Sequence, residues 1–417
     1  FQFSHVFLYS FGIAQMASYN IGSMKAWFYK ATWVMLIAVS TYGLGNSIAS
    51  LGKQKVSQKN IFSIKKNWLF IQGIGLLIAS SFAIAFLIYK VGNIFIYSRS
   101  QIFGGVGDTR GLGLFLMIYP SALLLITIGA STKKQKTFSY LLSFFSILLM
   151  LLMGYRSVVM FPLLAGIIMW IKADNRIPMM VLAGIIVASF LVMPTVRHLR
   201  TMGAYNTISK EKIIQSFDQA EAKDVFFELF ASGNILAHVM KLVPDKFDYR
   251  YGSTYLHSIR KSIPNIGLSI SKGERDKLKG GGKILSKGAI NRLAPADWFI
   301  YNTNRWKFYS GAGSGFNAVA EPYMNFGIIG VVGYFLLVGY LLGKLDGKDF
   351  ITNPNYFILA TLTMWPLLKT VRNEFTTFLK PVVFMCISLL IWNVIVFFLK
   401  NLGLIKSTKQ TVFKVKC

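Results

Sequence analysis

Long apolar runs recur along the whole chain, and they constrain its fold more than any other feature. Hydrophobic residues make up 54% of the 417 residues, and several runs approach or exceed the roughly 18 residues of a transmembrane helix. A single apolar run behind a basic leader would indicate a cleaved signal peptide, but runs that recur throughout exclude that interpretation. The sequence therefore predicts an all-α polytopic membrane protein.

The apolar runs predict about ten transmembrane helices. We place them near residues 1–19, 28–51, 67–89, 111–131, 138–155, 157–171, 177–194, 316–343, 355–369 and 381–400. Residues 138–171 could also form one long helix. The Gly154-Tyr155-Arg156 interruption favours a tight hairpin instead, because an arginine at mid-bilayer would cost a few kcal/mol.

Lysine-rich loops orient these helices, since cytoplasmic loops carry an excess of Lys and Arg. Basic clusters lie within 52–66, at 133–136 and in the tail beyond Lys400. Ten spans place all three clusters and both termini in the cytoplasm, with Gly154–Arg156 and the 90–110 loop outside. This gives four regions, listed in chain order: 1–194 with seven transmembrane helices, a large periplasmic loop at 195–315, 316–400 with three more helices, and a basic cytoplasmic tail at 401–417.

The large loop is predicted to be partly helical. We expect helices near 208–221 and 224–241, the second with an apolar face that packs on the membrane domain or lies at the interface. Residues 272–287 form a basic, glycine-broken loop that contains the string Lys277–Lys283. The loop lies between spans seven and eight without an inverted repeat, which argues against a transporter built from matched halves.

Charge and motif content exclude several function classes. Lys and Arg outnumber Asp and Glu by 45 to 16, but the basic residues alternate with membrane spans, so we do not expect a nucleic-acid partner. The four histidines lack metal-ligand spacing, and no CxxC, HExxH or Walker loop is present, so we expect no metal and no cofactor. Cys386 lies in an apolar run and Cys417 in the tail, which disfavours a disulfide between them.

Glu321 is the first candidate catalytic residue. It lies beside Pro322 near the start of the apolar run 316–343, after the glycine-rich stretch 310–315. A carboxylate in a membrane span is costly and is a functional-site hypothesis by default. Partial removal from water suits a proton acceptor. The alternative is a glutamate that pairs with an arginine or with backbone groups freed by Pro322.

Arginines on the outward side are candidates for binding phosphate, because the guanidinium fork matches phosphate oxygens and stays charged. Arg156 at the hairpin tip is the strongest candidate, with snorkelling to headgroups as its alternative. The further candidates for diphosphate binding are Arg197, Arg200, Arg250 and Arg260. For the first three, the alternative is an ordinary surface charge.

The stretch 249–264 alternates aromatic rings with hydroxyls and charges. Tyr251 and Tyr255 could present flat faces to sugar rings, although aromatic residues that anchor at the membrane interface follow the same pattern. His257 is a second catalytic candidate, since histidine exchanges protons near neutral pH. A loop histidine without a special role is the alternative.

Three motifs resemble those of Wzy-type O-antigen and oligosaccharide repeat-unit polymerases. The string from Gly311 to Gly330, with Ala-Glu-Pro-Tyr-Met-Asn-Phe-Gly at 320–327, is similar to the family's late signature, and Leu342–Asp346 is similar to its closing element. Tyr251–Tyr255 with Ile263-Pro264, and Gly154–Arg156, are similar to two upstream elements. Pro322 departs from the family pattern and predicts a kink there, and Asn265 stands where the family usually has arginine.

This resemblance implies a GT-C-like glycosyltransferase fold and a metal-independent enzyme of lipopolysaccharide biosynthesis. It would polymerise undecaprenyl-pyrophosphate-linked repeat units at the periplasmic face of the bacterial inner membrane, with undecaprenyl pyrophosphate as the leaving group. Its partners would be the lipid-linked donor and acceptor, the membrane and a chain-length-regulating co-polymerase. Within the signature, Tyr323 and Asn325 join Tyr251 and Tyr255 as glycan-binding candidates.

Two other functions stay open from the sequence alone. An O-antigen ligase that transfers the glycan to lipid A core would share the topology and the arginines. A lipid-linked oligosaccharide flippase would move the substrate without chemistry, although the missing repeat and the single oversized loop argue against it.

Arg156→Lys tests the hairpin arginine. The change keeps the positive charge but removes the forked contact, so we expect shorter or fewer O-antigen chains on a lipopolysaccharide gel. Full polymerisation by this variant would show that the forked contact is dispensable.

Overall fold

The computed structural model describes residues 24–51, 66–91, 112–152, 156–172, 233–263, 285–309, 315–345 and 354–402. Every regular element within these ranges is a helix, and the described part of the chain contains no strand. This agrees with the predicted all-α class. The predicted spans at 1–19 and 177–194, the helix at 208–221 and the 272–284 part of the glycine-broken loop lie outside the described residues.

The N-terminal half contributes five long helices. They are α1 (Lys25–Ser50), α2 (Lys66–Val91), α3 (Leu112–Gly129), α4 (Lys133–Leu152) and α5 (Arg156–Lys172). Their bounds follow the predicted apolar runs within a few residues. Helix α4 ends at Leu152, α5 begins at Arg156, and these two helices contact each other. This contact is what a hairpin predicts, and Gly154 itself lies outside the described residues.

Short helices follow in the predicted loop region, and three long ones complete the chain. The short helices are α6 (Gly233–Leu242), α7 (Ser253–Ser262), α8 (Lys287–Asn291), α9 (Pro295–Thr303) and α10 (Arg305–Tyr309). The long ones are α11 (Ala320–Leu345), α12 (Pro354–Thr370) and α13 (Thr376–Asn401). The described part of the predicted helix 224–241 coincides with α6.

Two of the described helices are long and apolar enough to cross a membrane. They are α11 and the Thr376–Leu399 part of α13, and shorter apolar helices occupy Ile118–Gly129 and Phe357–Thr370. Exposed Leu337 on α11 and Leu390 on α13 suit contact with lipid chains. Ten spans therefore remain a prediction.

Buried side chains form two hydrophobic clusters. The first joins α1, α6, α9, α10 and α11 around Trp298 and Phe316, which are 1% and 0% exposed. The second joins α2, α3, α5, α12 and α13 around Trp365, which is fully buried. Helix α7 packs against α13 and also contacts α11, so it connects the two halves of the described structure.

Helices α1 and α11 approach each other through glycines. A Cβ atom on Gly45 would overlap the Leu336 carbonyl, and one on Gly339 would overlap the Tyr42 carbonyl. Gly343 lies similarly close to Ala49. Small residues spaced four apart on both helices let the backbones touch, which is how helices associate in membranes without a hydrophobic driving force.

Helix α11 is broken near its start. Phe326 (φ −142°, ψ 17°) and Gly327 (φ 64°, ψ −148°) leave the helical conformation. Residues eight apart in a straight helix are about 12 Å apart, yet a Cβ on Gly330 would overlap the Pro322 carbonyl. The first turn, with Glu321, therefore folds back on the long segment. The kink predicted at Pro322 is wrong in position, because proline fits the first helical turn and Gly327 supplies the positive φ.

Gly339→Ala tests the close contact between α1 and α11. We expect it to destabilise the protein by about 1–3 kcal/mol, since the new methyl group meets a backbone carbonyl that cannot move aside. Gly333→Ala is the matched control, because a Cβ at Gly333 meets nothing within 4 Å. The midpoint of thermal unfolding in detergent measures both variants. Equal midpoints would contradict the packing.

Candidate active site

The segment before Glu321 is fixed by backbone contacts. Gly315 has φ +73°, and a Cβ there would lie 2.7 Å from the Arg372 carbonyl oxygen. The same carbonyl accepts the Phe316 amide at 3.0 Å. The Asn317 side-chain oxygen then accepts the Val319 and Ala320 amides at 2.8 and 3.1 Å, which caps the start of α11. The glycine at 315 is required both by its φ and by this close approach.

The carboxylate of Glu321 is held at one oxygen. Glu321 is only 2% exposed, and its Oε2 accepts the backbone amide of Phe375 at 2.6 Å. Its Oε1 is buried and has no hydrogen-bond partner among the described residues. The Thr254 hydroxyl lies close enough to the carboxylate to stabilise its charged form, but its geometry does not make a hydrogen bond to Oε1. One carboxylate oxygen is thus oriented and the other is available.

The break in α11 receives the segment that precedes α7. The carbonyls of Met324 and Asn325 accept the amides of Arg250 and Tyr251, each at 3.0 Å. These carbonyls lie at the end of the short first turn, where a helix leaves carbonyls without internal partners. Tyr251 (φ 45°) and Gly252 (φ 83°) adopt the left-handed conformation to complete the docking. The break therefore brings α7 next to Glu321.

The Asn325 side chain stabilises this arrangement through hydrogen bonds. It is fully buried, and its side-chain oxygen accepts the Gly252 amide at 2.9 Å. Its side-chain amide donates to the Thr254 hydroxyl at 2.7 Å and to the Glu321 carbonyl at 2.8 Å. The bonds to Gly252 and Thr254 hold the start of α7 to α11, and the bond to Glu321 lies within α11.

Helix α7 places Tyr255 beside Glu321. The Tyr255 ring stacks on Tyr334 at 6.2 Å between centroids and meets Phe375 edge-on at 5.6 Å. Its hydroxyl is buried without a hydrogen-bond partner among the described residues. Burial raises the pKa of Tyr255, and the neighbouring charge of Glu321 raises it further. Two unpartnered oxygen atoms therefore belong to neighbouring buried side chains.

Glu374 is a second, partly buried acid that the sequence reasoning missed. Its Oε2 accepts the Ala296 amide at 3.0 Å, in the first turn of α9, and the preferred place for a carboxylate is the N-terminus of a helix. Burial raises its pKa. The scarcity of acids, sixteen in the chain, was a signal that could have drawn attention to the linker between α12 and α13.

The described arginine candidates have different surroundings. The Arg250 guanidinium donates to the Leu293 and Ile290 carbonyls at 3.0 and 3.1 Å and lies 5.7 Å from the Trp298 ring. Burial lowers its pKa to about 10. Arg250 thus ties the segment before α7 to the α8–α9 connection. Arg260 is exposed on α7. Arg156 begins α5, and only its backbone is described.

The other predicted site residues also differ in how far their side chains are exposed. Tyr251 is 74% exposed, whereas Tyr323 is 8% exposed and packs edge-on against Tyr249 with centroids 6.5 Å apart. Arg197 and Arg200 lie outside the described residues. Within the part of the chain that the structure describes, no group of three or more His, Cys, Asp or Glu residues could hold a metal ion.

His257 lies on α7 among cations. Burial, together with the positive charges of Lys261, Arg250 and Arg260, lowers its pKa from 6.5 to about 4. Its Nε2 is buried without a partner among the described residues. The imidazole is therefore neutral near pH 7.

A family model described as "O-antigen polysaccharide polymerase Wzy" matches residues 1–402, nearly the whole chain. No curated protein and no solved structure matches the chain. The match covers all the helices that form the site.

The lowered pKa of His257 predicts how stability depends on pH. Between about 4 and 6.5 the unfolded chain binds more protons than the folded protein, so the free energy of unfolding falls as the pH falls through this window. We expect His257→Gln to make that fall shallower. Thermal unfolding in detergent at a series of pH values measures it. Identical pH dependence in both proteins would contradict this environment for His257.

Proposed function

The chain belongs to the Wzy family of O-antigen polysaccharide polymerases, and we propose that it uses Glu321 to join lipid-linked oligosaccharide repeat units into polysaccharide. The family consists of membrane-bound, glycosyltransferase-type polymerases that act on lipid-linked oligosaccharide. The observation that carries the proposal for Glu321 is its buried carboxylate, oriented at Oε2 by Phe375 and without a partner at Oε1.

The proposed reaction transfers the growing glycan from undecaprenyl pyrophosphate to a new lipid-linked unit. The acceptor hydroxyl gives its proton to Glu321 Oε1 while its oxygen bonds to the anomeric carbon of the donor sugar. The bond between that carbon and the diphosphate oxygen breaks, and the electron pair leaves with the diphosphate. The Phe375 amide keeps the carboxylate oriented throughout the transfer.

Cations are proposed to stabilise the charge on the departing diphosphate, without a metal. Arg156 is the first candidate because its place at the start of α5 coincides with the predicted outer end of a span. Arg197 and Arg200 are the next candidates from the sequence, and Arg260 offers an exposed charge on α7. For Arg250 we propose a positioning role, since its guanidinium already bonds two backbone carbonyls.

Aromatic rings are proposed to receive the glycan. Tyr251 is exposed at the end of the segment that docks on α11, and Tyr255 offers its hydroxyl beside Glu321. For Tyr323 and Asn325 a positioning role fits better than glycan contact, because both are buried against protein groups. His257 is the weaker candidate base, since its cationic neighbours oppose the imidazolium that proton uptake would form.

The location proposed for this chemistry is the periplasmic face of the bacterial inner membrane. The lysine-rich loops support that orientation, and ten spans in a GT-C-like fold are part of the same proposal. A chain-length-regulating co-polymerase is the proposed protein partner. A ligase would instead leave lipid-linked polymer in cells that lack it, so one lipopolysaccharide gel separates the two activities. Extension of lipid-linked units by purified protein separates both from a flippase.

Glu321→Gln tests the proposed base. The amide cannot take the proton, so we expect the rate of polymerisation in detergent to fall by about 10²–10⁴-fold, with normal accumulation of the protein. Glu374→Gln is the matched control, because its amide oxygen can still accept the Ala296 hydrogen bond, and this variant should retain polymer. Normal chain ladders from Glu321→Gln would contradict the assignment.

A further inference from the structure

Helix α7 carries an exposed apolar edge. Leu256 and Ile259 in α7, and Ile263 directly after the helix, are 58%, 48% and 55% exposed. Their i, i+3, i+7 spacing places them along one side. A line of exposed apolar side chains indicates a binding surface, whereas scattered exposed apolar residues do not. None of the roles proposed above uses this edge.

The same helix has a buried polar side. Thr254, Ser258 and Ser262 are 1%, 0% and 2% exposed. The Ser258 hydroxyl bonds the Thr376 hydroxyl at 2.7 Å, and Thr254 bonds Asn325. This side is fixed to α11 and α13 next to Glu321. A ligand on the apolar edge would therefore be separated from the reactive carboxylate by the width of one helix.

A cation borders the apolar edge. At 100° per residue, Arg260 lies about 40° around the helix from Leu256, and both Arg260 and Lys261 are exposed. An apolar strip with a guanidinium on its border complements a molecule that has a hydrocarbon chain and an anionic phosphate head.

The apolar edge is continuous with the membrane-facing side of α11. The Phe326 ring lies over Gly252 at the start of α7, where a Cβ would be 3.3 Å from the ring. Phe326, Ile328 and Ile329 are 44%, 50% and 83% exposed. Phe326 therefore brings exposed apolar surface of α11 to the start of α7.

We propose that the apolar edge of α7 binds the polyprenyl chain of the lipid-linked substrate and that Arg260 contacts its diphosphate. This rests on the proposed function, and it names the part of the substrate that α7 recognises. The substrate's own lipid is favoured over a bilayer phospholipid because the opposite side of α7 packs against the catalytic glutamate. A lipid held there has its head within about one helix diameter of the site of transfer.

The test compares two carriers on purified, full-length protein in detergent. Defined lipid-linked repeat units carry either a polyprenyl chain of undecaprenyl length or a chain of two isoprene units. We expect the wild type to show a lower KM for the long carrier. The double change Leu256→Asn and Ile259→Asn should raise the KM for the long carrier about tenfold and so remove the preference for it. Leu390→Asn, at an exposed position on α13, is the matched control and should keep the preference.

Failure of this inference is distinct from failure of the proposed function. A wild type that extends neither carrier would overturn the function. A wild type that polymerises, with the same carrier preference in the double variant, would overturn only the role of α7. Loss of the preference in Leu390→Asn as well would indicate general contact with lipid and would also overturn it.

A second measurement needs no variant. A lipid-linked repeat unit with a diazirine near the head of its polyprenyl chain is photolysed on the wild type, and the labelled peptide is mapped by mass spectrometry. We expect labelling within 256–263 that excess unlabelled repeat unit suppresses. Labelling confined to other helices, or labelling of α7 that only phospholipid suppresses, would contradict the proposal.

Discussion

The hydrogen bond from the Phe375 amide to Glu321 Oε2 joins the two parts of the chain on which the site depends. It ties the first turn of α11 to the linker between α12 and α13 at 2.6 Å. Glu374, beside Phe375 in that linker, accepts the Ala296 amide and so holds α9 to the same point. A buried carboxylate is costly unless hydrogen bonds compensate it. One strong bond at Oε2 orients Glu321 and leaves Oε1 to a substrate hydroxyl.

The break at Phe326 and Gly327 explains how a membrane helix can supply such a residue. In a straight helix, Glu321 would lie away from residues 250–252. The carbonyls of Met324 and Asn325 would then bond within the helix and could not accept from that segment. The break exposes the carbonyls of Met324 and Asn325, which bind that segment, and α7 then packs beside the carboxylate. The glycine contacts between α1 and α11 hold the long part of α11 in place. The first turn of α11 carries Glu321 in the site.

The sequence predicted those features that depend on local pattern. Apolar runs located α1 to α5 and α11 to α13, since hydrophobic length alone defines such helices. The cost of a carboxylate in an apolar run identified Glu321. Other features depend on tertiary contacts between distant residues. Arg250 and Asn325 looked like ligand-binding residues, because the sequence pattern does not reveal hydrogen bonds to backbone carbonyls and amides 40 or more positions away. The break at Gly327 was missed for the same reason, and the kink was predicted at Pro322 instead.

A structure of the protein with a lipid-linked acceptor unit bound would test the role of Glu321 most directly. We predict that the acceptor hydroxyl oxygen lies about 2.6–3.2 Å from Glu321 Oε1, with the Phe375 amide still bonded to Oε2. An acceptor hydroxyl bound at His257 instead, with Glu321 Oε1 occupied by a protein group, would contradict this.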